Sequence, residues 1–62
     1  MKKGDAVDAV IMGKYPLPGL VEAVTQSAVD VVFVSSKGEW LARIPLGWFN
    51  QSKPGTWSVD LP

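Results

Sequence analysis

The sequence predicts an all-β fold: a small five-stranded barrel with one short 3₁₀ turn near residues 45–49. Three observations carry that expectation. Val29-Asp-Val-Val-Phe-Val34 is β-branched and aromatic almost without a break. Glu39–Ile44 and Thr56–Leu61 each alternate apolar and polar residues, the period of a half-buried strand. Six Gly and five Pro punctuate a chain of 62 residues, which leaves room only for short elements between turns. Short strands are not stable as a flat open sheet, and closure into a barrel removes the edges. The length allows one domain, over residues 1–62.

The elements follow in order. Lys3-Gly4-Asp5 reads as a turn into a strand over Asp5–Met12, with Val7, Ala9 and Ile11 on one face. Gly13–Gly19 reads as a loop, because Pro16 and Pro18 cannot donate to a ladder and Pro-x-Pro favours a polyproline II bend. Leu20–Thr25 is ambiguous. As a helix, Val21, Val24, Ala28 and Val31 form a narrow seam; as a strand, Leu20, Glu22 and Val24 alternate with Val21, Ala23 and Thr25. The strand is preferred, since valine and threonine suit a pleated sheet and Pro18-Gly19 supplies no helix cap. Gln26-Ser27-Ala28 turns the chain into Val29–Val34, whose apolarity implies burial on both faces, or on one face plus a partner. Ser35–Gly38 is a hairpin turn in which Gly38 is free to take a positive φ. Glu39–Ile44 places Trp40, Ala42 and Ile44 inward and Glu39, Leu41 and Arg43 outward. Pro45–Phe49 suits a 3₁₀ turn, and Asn50–Gly55 reads as a polar loop closed by Pro-Gly. The last strand, Thr56–Leu61, turns Trp57, Val59 and Leu61 inward.

Three stretches resemble a known fold family. Lys3-Gly-Asp-Ala-Val7 resembles the Lys-Gly-Asp-x-Val opening of many SH3-like barrels, the broad group that includes KOW- and Tudor-type modules. Gly38-Glu-Trp-Leu-Ala-Arg43 is similar to the Gly-Asp-Trp-Trp-x-Ala-Arg stretch of SH3 domains. Ile44-Pro-Leu-Gly-Trp-Phe49 stands where those domains carry Ile-Pro-Ser-Asn-Tyr-Val, the 3₁₀ turn before the last strand. The resemblance implies an SH3-like barrel. It carries over no peptide-binding residue, because the long acidic ligand-reading loop and the Ala-Leu-Tyr-Asp-Tyr opening are absent, and Arg43 and Ile44 leave no room between them for the distal hairpin.

The inventory excludes more than it points to. There is no Cys and no His, so disulfides, thiolate zinc sites and the commonest acid–base catalyst are all missing. No serine has a histidine to activate it, and Gly13 and Gly19 do not form a phosphate cradle. Asp5 and Asp8 face opposite sides of a strand and read as a solvated terminus. Asp30, which interrupts the valine run, reads either as an inward charge that blocks edge pairing or as a solvent-facing carboxylate. An enzyme is not expected, nor a cofactor or bound metal. Gly4, Asp5 and Asp8 break what would be the apolar stretch of a secretion signal, and no apolar run is long enough for a bilayer; a cytoplasmic location is expected.

The aromatics carry the functional expectation. Trp40 and Trp57 are expected to fill the core. Trp48 and Phe49 are adjacent and cannot both point inward easily. They either plug the end of the barrel or join Tyr15, Pro16 and Pro18 in an exposed patch. The first functional reading is therefore a non-enzymatic module that binds a protein partner through those five residues, or associates with itself. The alternative is a nucleic-acid-binding barrel of the KOW or Tudor kind, in which Lys14, Arg43 and Lys53 add charge to the aromatics. Six basic residues cancelled by six acidic ones make nucleic acid the lesser expectation.

Overall fold

A computed structural model describes all 62 residues. Six strands and one 3₁₀ turn follow one another: β1 (Ala6–Ile11), β2 (Tyr15–Val24), β3 (Ala28–Ser35), β4 (Gly38–Pro45), η1 (Leu46–Trp48), β5 (Phe49–Lys53) and β6 (Thr56–Leu61). They form one sheet in the order β4-β3-β2-β1-β6-β5. The first four make an antiparallel meander, and the β5–β6 hairpin then lies against β1 with β6 parallel to it.

This arrangement corrects the expected five-stranded closed barrel in two ways. There are six strands, and β4 and β5 are free edges with no ladder between them. The sheet nevertheless curls. Pro45 and Phe49 end and begin the two edge strands, and three residues between them span at most ~15 Å. A flat sheet would hold its first and sixth strands about 24 Å apart. The result is a half-barrel whose open side is bridged by η1. Leu46 packs against the core there, and its N–H donates to Ser27 O at 2.9 Å.

The strands that alternation predicts are all present, and Leu20–Val24 is strand rather than helix. Two segments expected as loops are strand. Tyr15–Gly19 belongs to β2 despite its prolines. The reason lies in the ladder's parity. Val21 donates to Asp5 O at 2.9 Å, and strict alternation from there makes Val7/Gly19, Ala9/Leu17 and Ile11/Tyr15 the bonded pairs with β1. Pro16 and Pro18 fall between them, opposite Val10 and Asp8, where no N–H is needed. Their missing donors face the β3 side, and pairing with β3 begins only at Gly19. Asn50–Lys53 forms β5 although it has no apolar alternation, because the Pro54-Gly55 turn, with Gly55 at φ 80, folds it back onto β6.

The inner face holds the core. Val7 and Ala9 of β1, Val29, Val31 and Phe33 of β3, Val21, Ile44 and Val59 are all buried. Each such valine contributes about 1.5–3 kcal/mol by leaving water. Register sets Trp57, Val7, Gly19, Phe33 and Trp40 in one row across five strands. Gly19 stands in the middle of this row, and its missing side chain makes room for the Phe33 ring. Trp40 does not fill the core as expected. It packs on Phe33 with ring centroids 5.8 Å apart, yet stays 43% exposed because β4 has no neighbour beyond it.

Candidate functional site

The sheet divides the five residues that the sequence groups as a binding surface. Tyr15 lies opposite Ile11, which lies beside Leu61, all on inner-face positions at one end of the half-barrel. Trp48 of η1 meets the same end, where it lines an open depression of about 540 Å³ with Asp60, Leu61 and Pro62. Tyr15 is 59% exposed and Trp48 47%. Phe49 is half-buried, packs against the core and pairs with Val59. So adjacent Trp48 and Phe49 take different roles, one at the surface and one as a plug. Pro16 and Pro18 are exposed on the outer face, opposite Val10 and Asp8.

Met12 belongs to the same end as Tyr15 and Trp48. Its N–H donates to Leu61 O at 2.9 Å, and it is the one non-glycine residue with a positive φ, 55°. Gly13 follows at φ 71, and Lys14 N–H closes the turn on Ile11 O at 3.0 Å. A methionine held in this left-handed conformation costs of order 1 kcal/mol. Its side chain stands out into solvent, 67% exposed.

The outer face carries a second apolar surface. Ala6, Pro18, Leu20, Val32 and Val34 line a depression of about 390 Å³, with Asp8 and Glu39 at its rim. Leu41 stands beside Val32 on this face, 60% exposed. The valine run is thus buried on one side only. Val29, Val31 and Phe33 enter the core, while Val32 is half-covered and Val34 exposed.

The three basic residues of the alternative reading do not converge. Lys14 sits in the β1–β2 turn, and Lys53 ends β5 beside the turn that contacts Ala6, at the far end of β1. Six residues of strand separate those ends by about 20 Å. Arg43 lies on β4 and is engaged: Nε donates to Asp30 Oδ1 at 2.8 Å, and Nη2 to Oδ2 at 3.3 Å. Asp30 therefore neither points into the core nor stands alone in solvent. The Arg43 hydrogen bonds hold its carboxyl below the usual carboxylate range, and Asp30 in turn raises the Arg43 pKa.

Asp5 departs furthest from the sequence reading. It is not a solvated terminus but the one buried charged residue of the chain. Its Oδ2 accepts from Trp57 Nε1 at 3.0 Å and from Lys2 N–H at 3.1 Å. Only alternation hinted at this, by turning Trp57 inward; its partner lies 52 residues away. The Trp57 bond lowers the Asp5 pKa, outweighing burial, which pushes it up; the Lys2 N–H and the N-terminal charge lower it further. A folded-state pKa below the unfolded one gives stability that is complete above the unfolded value, near 4, and is lost as pH falls through the folded value. Thermal midpoints followed by tryptophan fluorescence should hold steady from pH 7 to about 4 and fall below it. Asp5→Asn should lower the midpoint at pH 7 and shrink that fall, leaving the share that belongs to Asp30. An acid limb unchanged in the variant would show that the Asp5–Trp57 bond contributes nothing.

No group of three or more Asp, Glu, His or Cys comes together in a way that could hold a metal ion. No helix is long and apolar enough to cross a membrane. Comparison of the chain with protein families, with curated proteins and with solved structures finds no match.

Proposed function

We propose that the chain is a small non-enzymatic binding module that engages a protein partner through the aromatic end of its half-barrel. The observation that carries this reading is the pair Tyr15 and Trp48, both about half exposed at the same end of the half-barrel, where Trp48 lines the depression with Leu61 and the Met12 N–H is held on Leu61 O. Exposed aromatic rings on a supported edge are the side chains that contribute most to protein contacts. Backbone strain persists where the surroundings hold it, and it gathers at binding sites. Without His or Cys, the chain has few groups suited to chemistry and many suited to contact. Phe49 serves the site from behind, by anchoring η1 to β6.

Tyr15→Ala and Trp48→Ala test this. Neither ring is in the core, so each variant should unfold within about 1 kcal/mol of the parent. A partner captured by the parent and then purified should lose at least thirtyfold in affinity to each variant, as measured by titration calorimetry. Variants that unfold outright would make the rings structural. Binding that survives both substitutions would move the contact elsewhere. A captured nucleic acid whose affinity falls steeply with salt would overturn the protein-binding reading.

A further inference from the structure

The two free edges of the sheet are not alike. β5 has five residues and a register shift between Gln51 and Lys53, and such a bulge turns an edge away from further pairing. β4 has eight residues, pairs with β3 without a shift, and has no neighbour on its other side. Parity decides which of its backbone groups are open. Odd residues of β2 bond to β1, so Leu20 bonds to Val32, and the odd residues of β3 bond to β4. Their partners are Gly38, Trp40, Ala42 and Ile44. Just past the strand, Leu46 N–H continues the same parity by donating to Ser27 O. Glu39, Leu41 and Arg43 therefore turn every N–H and C=O they own toward the open edge.

We propose that β4 pairs antiparallel with β4 of a second copy of this chain, about a two-fold axis at Leu41. That register sets Leu41 against the second copy's Leu41 and Glu39 against its Arg43, on both sides of the axis. All the open N–H and C=O groups of the three residues then find partners. A shift of two residues one way sets Arg43 against the hairpin turn. A shift the other way sets Glu39 against Pro45, which has no N–H to give. The side chains agree with the backbone. Glu39 has no ion-pair partner within its own chain, and Arg43 uses Nε and Nη2 on Asp30 and keeps Nη1 free. An edge of one sign would repel its own copy. This one carries an acid and a base equally far from its centre. On the inner face, exposed Trp40 covers the second copy's small Ala42, and on the outer face the apolar strip Leu20–Val32–Leu41 continues across the axis. The contact is isologous and closes as a dimer, so it does not extend into a fibre.

This pairing uses a different surface from Tyr15 and Trp48, and it stands or falls apart from the protein-binding reading. Sedimentation equilibrium over a concentration series, with amide exchange followed by NMR, tests it. The expected result is a species of twice 6.7 kDa at high concentration. The Glu39, Leu41 and Arg43 amides should be protected only there, and those of Trp40 and Ala42 at every concentration. Glu39→Arg meets like charge at both ends and should weaken the dimer about tenfold or more, with the near-ultraviolet circular dichroism of the parent. Leu41→Pro removes a donor on the axis and no bond to β3, and should leave a folded monomer. Trp48→Ala should leave the dimer intact. A chain that stays monomeric at millimolar concentration would overturn the proposal. So would a dimer whose Glu39, Leu41 and Arg43 amides exchange freely, or one that Glu39→Arg leaves unchanged.

Discussion

Phe33→Ala should remove at least a third of the stability of the fold. The ring is 1% exposed, lies beside Gly19 in the central row of the inner face, and carries Trp40 on its other side at 5.8 Å. Truncating a buried phenylalanine removes its transfer free energy and leaves a cavity, together about 3–5 kcal/mol. A domain of this length has a total stability of roughly 3–9 kcal/mol. The one substitution therefore takes away between about a third and all of what holds the fold. The surroundings cannot collapse to compensate, because Val31 and Val7 are already fully buried against the backbone of a curled sheet. Urea unfolding followed by tryptophan fluorescence would read the effect directly. Phe33→Leu should fall between parent and Ala variant, and Leu41→Ala, on the outer face, should stay within about 0.5 kcal/mol. A loss below 1 kcal/mol for Phe33→Ala would mean that the half-barrel's core is centred elsewhere.

What the sequence showed, and what it hid, follows from how local each signal is. β1, β3, β4 and β6 were legible because their inward residues are apolar and recur at every second position, whatever the neighbours. The first half of β2 was not. Proline bars a strand only where its missing N–H faces a neighbour, and which side Pro16 and Pro18 face is set by the pairing of Val21 with Asp5. β5 has no apolar signature at all; it is strand because a Pro-Gly turn returns it to β6. Closure is not legible for a related reason. Alternation reports that strands have a buried face, but says nothing about whether the first and last of them meet. The candidate site was legible as a set of residue types and illegible as a place. Tyr15 and Pro16 are adjacent in sequence and for that reason lie on opposite faces of a strand. Asp5, which the sequence left in solvent, gains its role from an indole at the other end of the chain.

Gly19→Ala should cost about 1–3 kcal/mol, although it adds a single methyl to a strand. Glycine normally weakens a strand, and elsewhere in a sheet the change to alanine would be neutral or stabilising. Here the added Cβ would lie 2.8 Å from Phe33 Cδ1 and 2.8 Å from Val31 Cγ1. Neither neighbour is the loose end of a surface side chain. Val31 is fully buried and Phe33 almost so, with Trp40 against the far side of its ring. The methyl must push the β2 and β3 backbones apart or turn the ring off its rotamer, and both disturb the row that runs from Trp57 to Trp40. Relieving the clash from the other side separates this cause from simple strand propensity. Phe33→Leu shortens the group that the new methyl meets, so Gly19→Ala should cost less in that background than in the parent. A double-mutant cycle should give a coupling of 0.5 kcal/mol or more, favourable to the pair. If the two losses simply add, the penalty at Gly19 comes from the backbone of β2 and the close approach to Phe33 plays no part in it.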